Sequence, residues 1–472
     1  MKNYDLIVIG GGPAGTTLAT LVAKTGHSVL LLERTRHPRY QIGESLLPAT
    51  VDKIAGLLDI KDQIQKAGFV VKRGATFSWG QQPETLWTMN FGRSPIDLIE
   101  LAPNTPYAYN VPRPDFDRIF LNNARANGVE ILEAHKAEKA IIENGVVKGI
   151  DFSDEFGKKH RAYARYVADA SGKGSILASQ IGSREFSQFF RKVSVFGYFV
   201  NGERIALPLN GNVLFQTYQN AWLWYIPLSE SLTSVGVVMP AEDHAAAKME
   251  RRDILDFYIH HCPLFRSLLA NAQYADLAPF DEIRSRSEFS YCNTRLWMPG
   301  GFVLGDAACF VDVLLSSGVH LATYAALLAA RSINSVLDLG MDEALCFNEY
   351  EARIRKEYAV FYQGLVGLYD MHGISSSYIE WLRALLKDSN GVHVEWSESK
   401  ADPGAVSVIF PDMSELSERN VERFRAYNAW QVRYDGPPVM NLARPIPEML
   451  FKMKPSHDDL YWVVGSEKMD AV

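Results

Sequence analysis

Gly10-Gly11-Gly12-Pro13-Ala14-Gly15 follows directly on the apolar run Asp5–Ile9 and leads into an Ala/Leu/Thr-rich stretch. A G-x-G-x-x-G in that setting reads as strand, tight turn and helix, the start of a Rossmann-like α/β layer. Gly10 permits the turn, Gly12 lets backbone approach a pyrophosphate, and Gly15 lets the helix pack closely on the strand. Pro13 and Ala14 open the helix, whose free N–H groups and positive dipole end suit phosphates. A second strand, Ser28–Leu32, ends on Glu33, placed to bond adenosine ribose hydroxyls and to disfavour a 2′-phosphate. The fingerprint alone leaves NAD and FAD open.

Dinucleotide-type patterns return at 113–131, 166–172 and 301–330, with strand-rich segments between them. We therefore expect an α/β fold with a discontinuous nucleotide domain (1–68, 107–182 and 284–365), of the glutathione-reductase type. A mixed β-sheet substrate domain (69–106 and 183–283) is inserted into it, and a helical, irregular C-terminal cap (366–472) follows. Residues 46–67 and 249–271 carry helical periodicity, Val70–Gly80 alternates as one strand, and a long helix starts near Gly318.

The 472 residues are 47% hydrophobic, enough to form a large core without disulfides or a structural metal. Four cysteines without CxxC or CxH spacing argue against a metal site and fit a reducing cytoplasm. A net charge of −7 argues against nucleic acid as a partner. The chain begins at its first strand, so no targeting segment is expected, and no apolar run is long enough to span a membrane.

Three further segments resemble the flavin monooxygenases and imply FAD. Gly300–Asp312 is similar to their strand-and-aspartate motif, with Gly305 and Asp306 at the ribityl chain. Asp169-Ala-Ser-Gly172 resembles their second nucleotide motif. Arg113-Pro-Asp-Phe-Asp117 resembles their R-x-x-F-D helix start. Within that superfamily the chain resembles a flavin-dependent halogenase of the phenol, pyrrole or carrier-tethered subgroup. Trp222-Leu-Trp224-Tyr-Ile226-Pro227 matches the family's W-x-W-x-I-P. Alternation puts Trp222, Trp224 and Ile226 on one face of a strand, and the resemblance implies that they shield the flavin, with Pro227 closing the motif.

The resemblance makes Lys72 the lysine that receives or orients hypohalous acid. Alternation places it beside Gly74, Thr76 and Ser78, which suits an open tunnel or cavity where a desolvated amine has a lowered pKa. It also makes Ser316–His320 the opening of a helix near the flavin, with Ser317 and Gly318 binding halide through backbone N–H groups and serines capping it. Gly43-Glu44-Ser45 resembles a flavin-contacting loop, and Asp312 is followed by Val313 where relatives usually carry proline.

The implied reaction uses FAD as FADH2, O2 and chloride or bromide to halogenate an electron-rich aromatic in specialised-metabolite or antibiotic biosynthesis. A separate flavin reductase supplies the cofactor, since the chain has no second dinucleotide fingerprint. A single-component aromatic hydroxylase, an alkene reductase and a non-catalytic flavin-binding protein are the alternatives.

Overall fold

Val29–Glu33 is buried along its whole length and Asn3–Ile9 nearly so, as strands covered on both faces must be. In the computed structural model they form one parallel layer. The model describes residues 3–78, 86–91, 106–187, 189–287, 290–370, 395–396, 406–407 and 453–464. Across the layer the order is Gly301–Val303, Lys159–Asp169, Asn3–Ile9, Val29–Glu33 and Glu130–Glu133, all parallel. Trp297–Met298 joins antiparallel at one edge, and the hairpin Lys136–Glu143/Val146–Ser153 extends Lys159–Asp169.

The register aligns Ile9 with Asp169 and with Leu32, and Asp169 with Val303. The turns after these strands therefore emerge side by side at the carboxyl edge. The chain leaves Asn3–Ile9 toward Val29–Glu33 on one side, while Lys159–Asp169 flanks it on the other. This is the switch point where open α/β sheets bind ligands. Helix Pro13–Ala23 packs on Ser317–Leu339 and Arg113–Ala126.

The second sheet is mixed. Its order is Gln273–Tyr274, Lys192–Val200, Leu232–Pro240, Ala221–Pro227, Val213–Tyr218, Gly74–Ser78 and Trp87–Asn90, parallel only between Val213–Tyr218 and Gly74–Ser78. Arg284–Ser287 pairs with Lys192–Val200, so this sheet reaches past residue 283, where the sequence pattern ended it. Its two faces bury different sets. Phe196, Phe215, Trp222 and Trp224 join the core shared with the parallel layer. Leu223, Tyr225, Val235 and Val237 pack with residues of Arg251–His261 and Pro263–Leu268.

Two local expectations are corrected. Residues 46–67 form a π-helical turn and short helices instead of one helix, whereas 249–271 holds helices as expected, Arg251–His261 and Pro263–Leu268, parted where Cys262 precedes Pro263. Val70–Gly80 is not one strand. Val70–Lys72 pairs with Ala108–Asn110, whereas Gly74–Ser78 joins the second sheet, so Lys72 does not share a strand face with Thr76 and Ser78. Trp79 and Gly80 lie outside the described residues, as does most of 366–472. Within that segment, helix Glu343–Asp370 runs past residue 366. The hairpin Met453–Pro455/Trp462–Val464 docks on Ser317–Leu339 through Trp462, bonded to Ser332 and Ser335.

Candidate functional site

Between the carboxyl edge of the parallel layer and the inner face of the second sheet lies a cavity of about 870 Å3. Gly10, Gly12, Pro13 and Ala14 line one end of it. The helix there starts at Pro13 with no side-chain cap and no acid in its first turn, so its leading N–H groups are left for an anion. Gly10 takes a left-handed φ of 106°. Gly15 stands behind the lining, where a Cβ would run into the Gly10 carbonyl oxygen. Its contribution is close packing, without contact to the cavity.

Glu33 reaches the same end. Its Oε2 accepts the Gly11 N–H at 2.8 Å and its Oε1 accepts the Thr35 N–H and hydroxyl. Burial pulls this carboxyl upward, but the Arg39 charge and these bonds outweigh it and hold it below the usual range. Asp169 is placed differently from expectation. It does not line the cavity, because its two oxygens accept five bonds from Ser171, Ser175, Ile176 and Leu177. The loop it folds, Ala170–Gly174, lines the cavity instead.

In the middle, Arg113 is clamped to Asp117 (Nε–Oδ1 2.7 Å) and donates to the Ile42 and Gly43 carbonyls at 2.7 and 3.2 Å. This fixes the Gly43–Ser45 loop against the cavity. Asp306 lines the opposite wall. Its carboxyl is raised to about 6 by desolvation, offset by the charges of Arg113, Arg184 and Lys173. Gly305 lies behind it, against Ala14 and Ala322.

The far end is aromatic. Trp222, Trp224 and Ile226 line it, while Pro227 does not. The Trp224 ring lies across Gly236 of the neighbouring strand, where a Cβ would collide with it, and its Nε1 donates to Ser234 Oγ at 3.2 Å. Trp222 Nε1 donates at 2.7 Å to the hydroxyl of Tyr369, which itself donates to Asp312 Oδ2 at 3.2 Å. Burial raises Asp312 to about 6, against the lowering effects of the Leu314 N–H, Tyr369 and Lys192. Tyr369 carried no readable motif. It comes from the end of helix Glu343–Asp370, and only packing brings it here.

Ser316, Ser317 and Gly318 form the cavity's edge at the start of Ser317–Leu339. Ser316 is left-handed (φ 57°), and the helix has no side-chain cap, contrary to the expected serine capping. The Ser316 hydroxyl instead receives Lys72 Nζ at 3.3 Å, and Lys72 also donates to the Leu46 carbonyl at 3.0 Å. Lys72 is 2% exposed and does not line this cavity, so among the described residues the open environment expected for it is not found there. Desolvation lowers its pKa to about 7.

The wall suits FAD. It has an uncapped helix start for phosphates, an acid for ribose, a carboxylate beside the middle stretch and apolar rings at the far end. Ser45 Oγ, Ser317 Oγ and Glu44 Oε2 are buried on this wall with no hydrogen-bond partner among the described residues. Fold and cavity together define a flavoprotein of the Rossmann-like, two-sheet kind.

The tryptophan halogenase family model matches residues 5–102 and 95–379. A tryptophan 2-halogenase of Chondromyces crocatus is 31% identical over 405 residues, covering 85% of this chain and 74% of that protein. A 1H-pyrrole-2-carbonyl-(peptidyl-carrier protein) chlorinase of Pseudomonas fluorescens is 27% identical, covering 80% and 86%. Among solved structures, the myxobacterial chondrochloren halogenase CndH, described as a new variant of FAD-dependent halogenases, is similar at 41% identity. Its TM-score is 0.79, over 98% of this chain and all of that one. The chain belongs to the tryptophan halogenase family of flavin-dependent halogenases. It is an oxidoreductase that works with FAD and halide. Among the described residues no helix is long and apolar enough to cross a membrane.

Proposed function

We propose that this chain halogenates a phenolic or pyrrolic ring, free or tethered to a carrier protein, by making hypohalous acid in the flavin cavity and delivering it through Lys72. The observation that carries the reading is the contact between Lys72 Nζ and Ser316 Oγ, which joins a buried amine to the edge of that cavity. FAD bound as FADH2 supplies the two-electron reduction of O2 that makes an oxidant for halide.

The chain's residues do the rest. Gly10–Ala14 and Glu33 hold the nucleotide, the loop clamped by Arg113 and the Asp306 carboxyl orient the middle, and the N–H groups of Ser317 and Gly318 hold halide at the helix start. Trp222, Trp224 and Ile226 keep an organic ring away from the flavin, which favours halide over substrate as the group oxidised. Lys72, poised near neutrality, takes up or hydrogen-bonds the oxidised halogen and presents it to the ring. The carrier-tethered option rests on the Pseudomonas relative. A separate reductase in the cytoplasm provides FADH2, consistent with four free cysteines.

The test is an assay with FAD, a flavin reductase, O2 and bromide or chloride on a panel of phenols and carrier-bound pyrroles. Halide-dependent product mass is expected. Oxygen insertion without halide would overturn the reading in favour of a hydroxylase.

A further inference from the structure

Glu44 is a deeply buried acid on the cavity wall that the mechanism above leaves unused. It is 2% exposed, and its Oε2 completes no hydrogen bond among the described residues. Its Oε1 accepts the Tyr198 hydroxyl at 2.6 Å, and Tyr198 shares a second bond with the Tyr40 hydroxyl at 2.8 Å. Tyr40 is half-buried and lies under the Arg284 guanidinium at 3.9 Å, whose partner Glu282 is largely exposed. Three linked groups thus run from buried Glu44 to half-buried Tyr40, which also lines the cavity.

Forming hypohalous acid needs such a route. The balance is FADH2 + O2 + X− + H+ → FAD + HOX + H2O, with two electrons from FADH2 and two from halide. One proton enters the site for each halide oxidised. We propose that Glu44 hands this proton into the flavin cavity and that Tyr198 and Tyr40 return it from solvent. The proposal rests on the hypohalous-acid reading given above.

The surroundings match that duty. Burial lifts the Glu44 carboxyl to about 7, partly offset by the Tyr198 and Ser234 hydroxyls and the Arg113 charge. Each faces it from a different element: Tyr198 from Lys192–Val200, Ser234 from Leu232–Pro240 and Arg113 from Arg113–Ala126. Arg284 and Arg286 act on Tyr40, one step removed. A proton donor works best when it titrates near the working pH. A purely structural Glu44 would need only its backbone carbonyl, which accepts the Val111 N–H at 2.7 Å.

The experiment compares the FAD-loaded wild type with Glu44→Gln and Tyr198→Phe. Infrared difference spectra are recorded from about pH 5 to about pH 9 without turnover. A protonated-carboxyl band titrating near 7 is expected in the wild type. It should be absent in Glu44→Gln and shifted to higher pH in Tyr198→Phe, which loses the bond favouring the carboxylate. In turnover with bromide, the wild-type rate should fall above about pH 7, Glu44→Gln should lose that limb and slow roughly 10²-fold, and Tyr198→Phe should show a larger solvent isotope effect.

Absence of a band titrating between about pH 6 and about pH 8 overturns the proposal. So does a Glu44→Gln variant that keeps the wild-type rate and limb while the wild type halogenates. A wild type with no halide-dependent product overturns the functional reading, and this proposal with it.

Discussion

An ammonium group carried into the protein interior loses its hydration, and among the described residues Lys72 meets that loss with two hydrogen bonds and the Phe91 ring at 5.2 Å. Burial favours its neutral form, so its folded pKa lies below its unfolded one. The resulting destabilisation is full below about pH 7 and shrinks as pH rises toward the ordinary lysine range near 10.5. Lys72→Met is therefore expected to raise the unfolding free energy at neutral pH by about 1–3 kcal/mol, while FAD still binds and halogenated product disappears. Denaturant titration at several pH values checks the sign, because the gain should narrow at alkaline pH. Asp169 is buried in different company, with five donors on its two oxygens. Residue type and motif alone put both among the site residues. Only the bonding separates one at the cavity's edge from one that shapes its wall.

At the scale of elements, the strand Ala221–Pro227 shows how periodicity becomes function. Its alternation sends Trp222, Trp224 and Ile226 into the cavity and Leu223 and Tyr225 into the other core, as period two requires. The strand does not hold its tryptophans alone. Gly236 makes room for one ring, and helix Glu343–Asp370 reaches across with Tyr369 to bond the other and Asp312. Tyr369→Phe should lower stability by about 1–2 kcal/mol and reduce the share of O2 consumption that ends in halogenated product. Equilibrium unfolding and a product-to-O2 ratio measure the two effects. The strand over Val70–Gly80 failed as an element for the complementary reason. Its alternation was real, but two different partner strands claimed its halves, splitting it after Lys72.

For the whole molecule, the cavity lies where two sheets face each other, and a ligand that fills it ties both together. FAD at about one hundred times its dissociation constant should therefore add about 2.7 kcal/mol to stability, read as a rise in Tm with FAD concentration. In Gly15→Ala the rise should be absent or much smaller, because a Cβ there collides with the Gly10 carbonyl and opens the turn that receives the pyrophosphate.

The glycine turn, Glu33, the tryptophan strand and the helix beginning at Ser317 were all legible along the chain. Each depends on local spacing, on a turn only glycine permits or on a period of two, and local sequence determines such features. The tertiary structure decided what no spacing encodes: that Asp169 folds a loop, that Lys72 is sealed against Ser316, that Tyr369 bonds Trp222 and Asp312, and that Tyr198 and Tyr40 join Glu44 in one hydrogen-bonded chain. Those contacts join residues up to 244 positions apart. They exist only because burying two sheet faces against each other brings distant segments within hydrogen-bond reach.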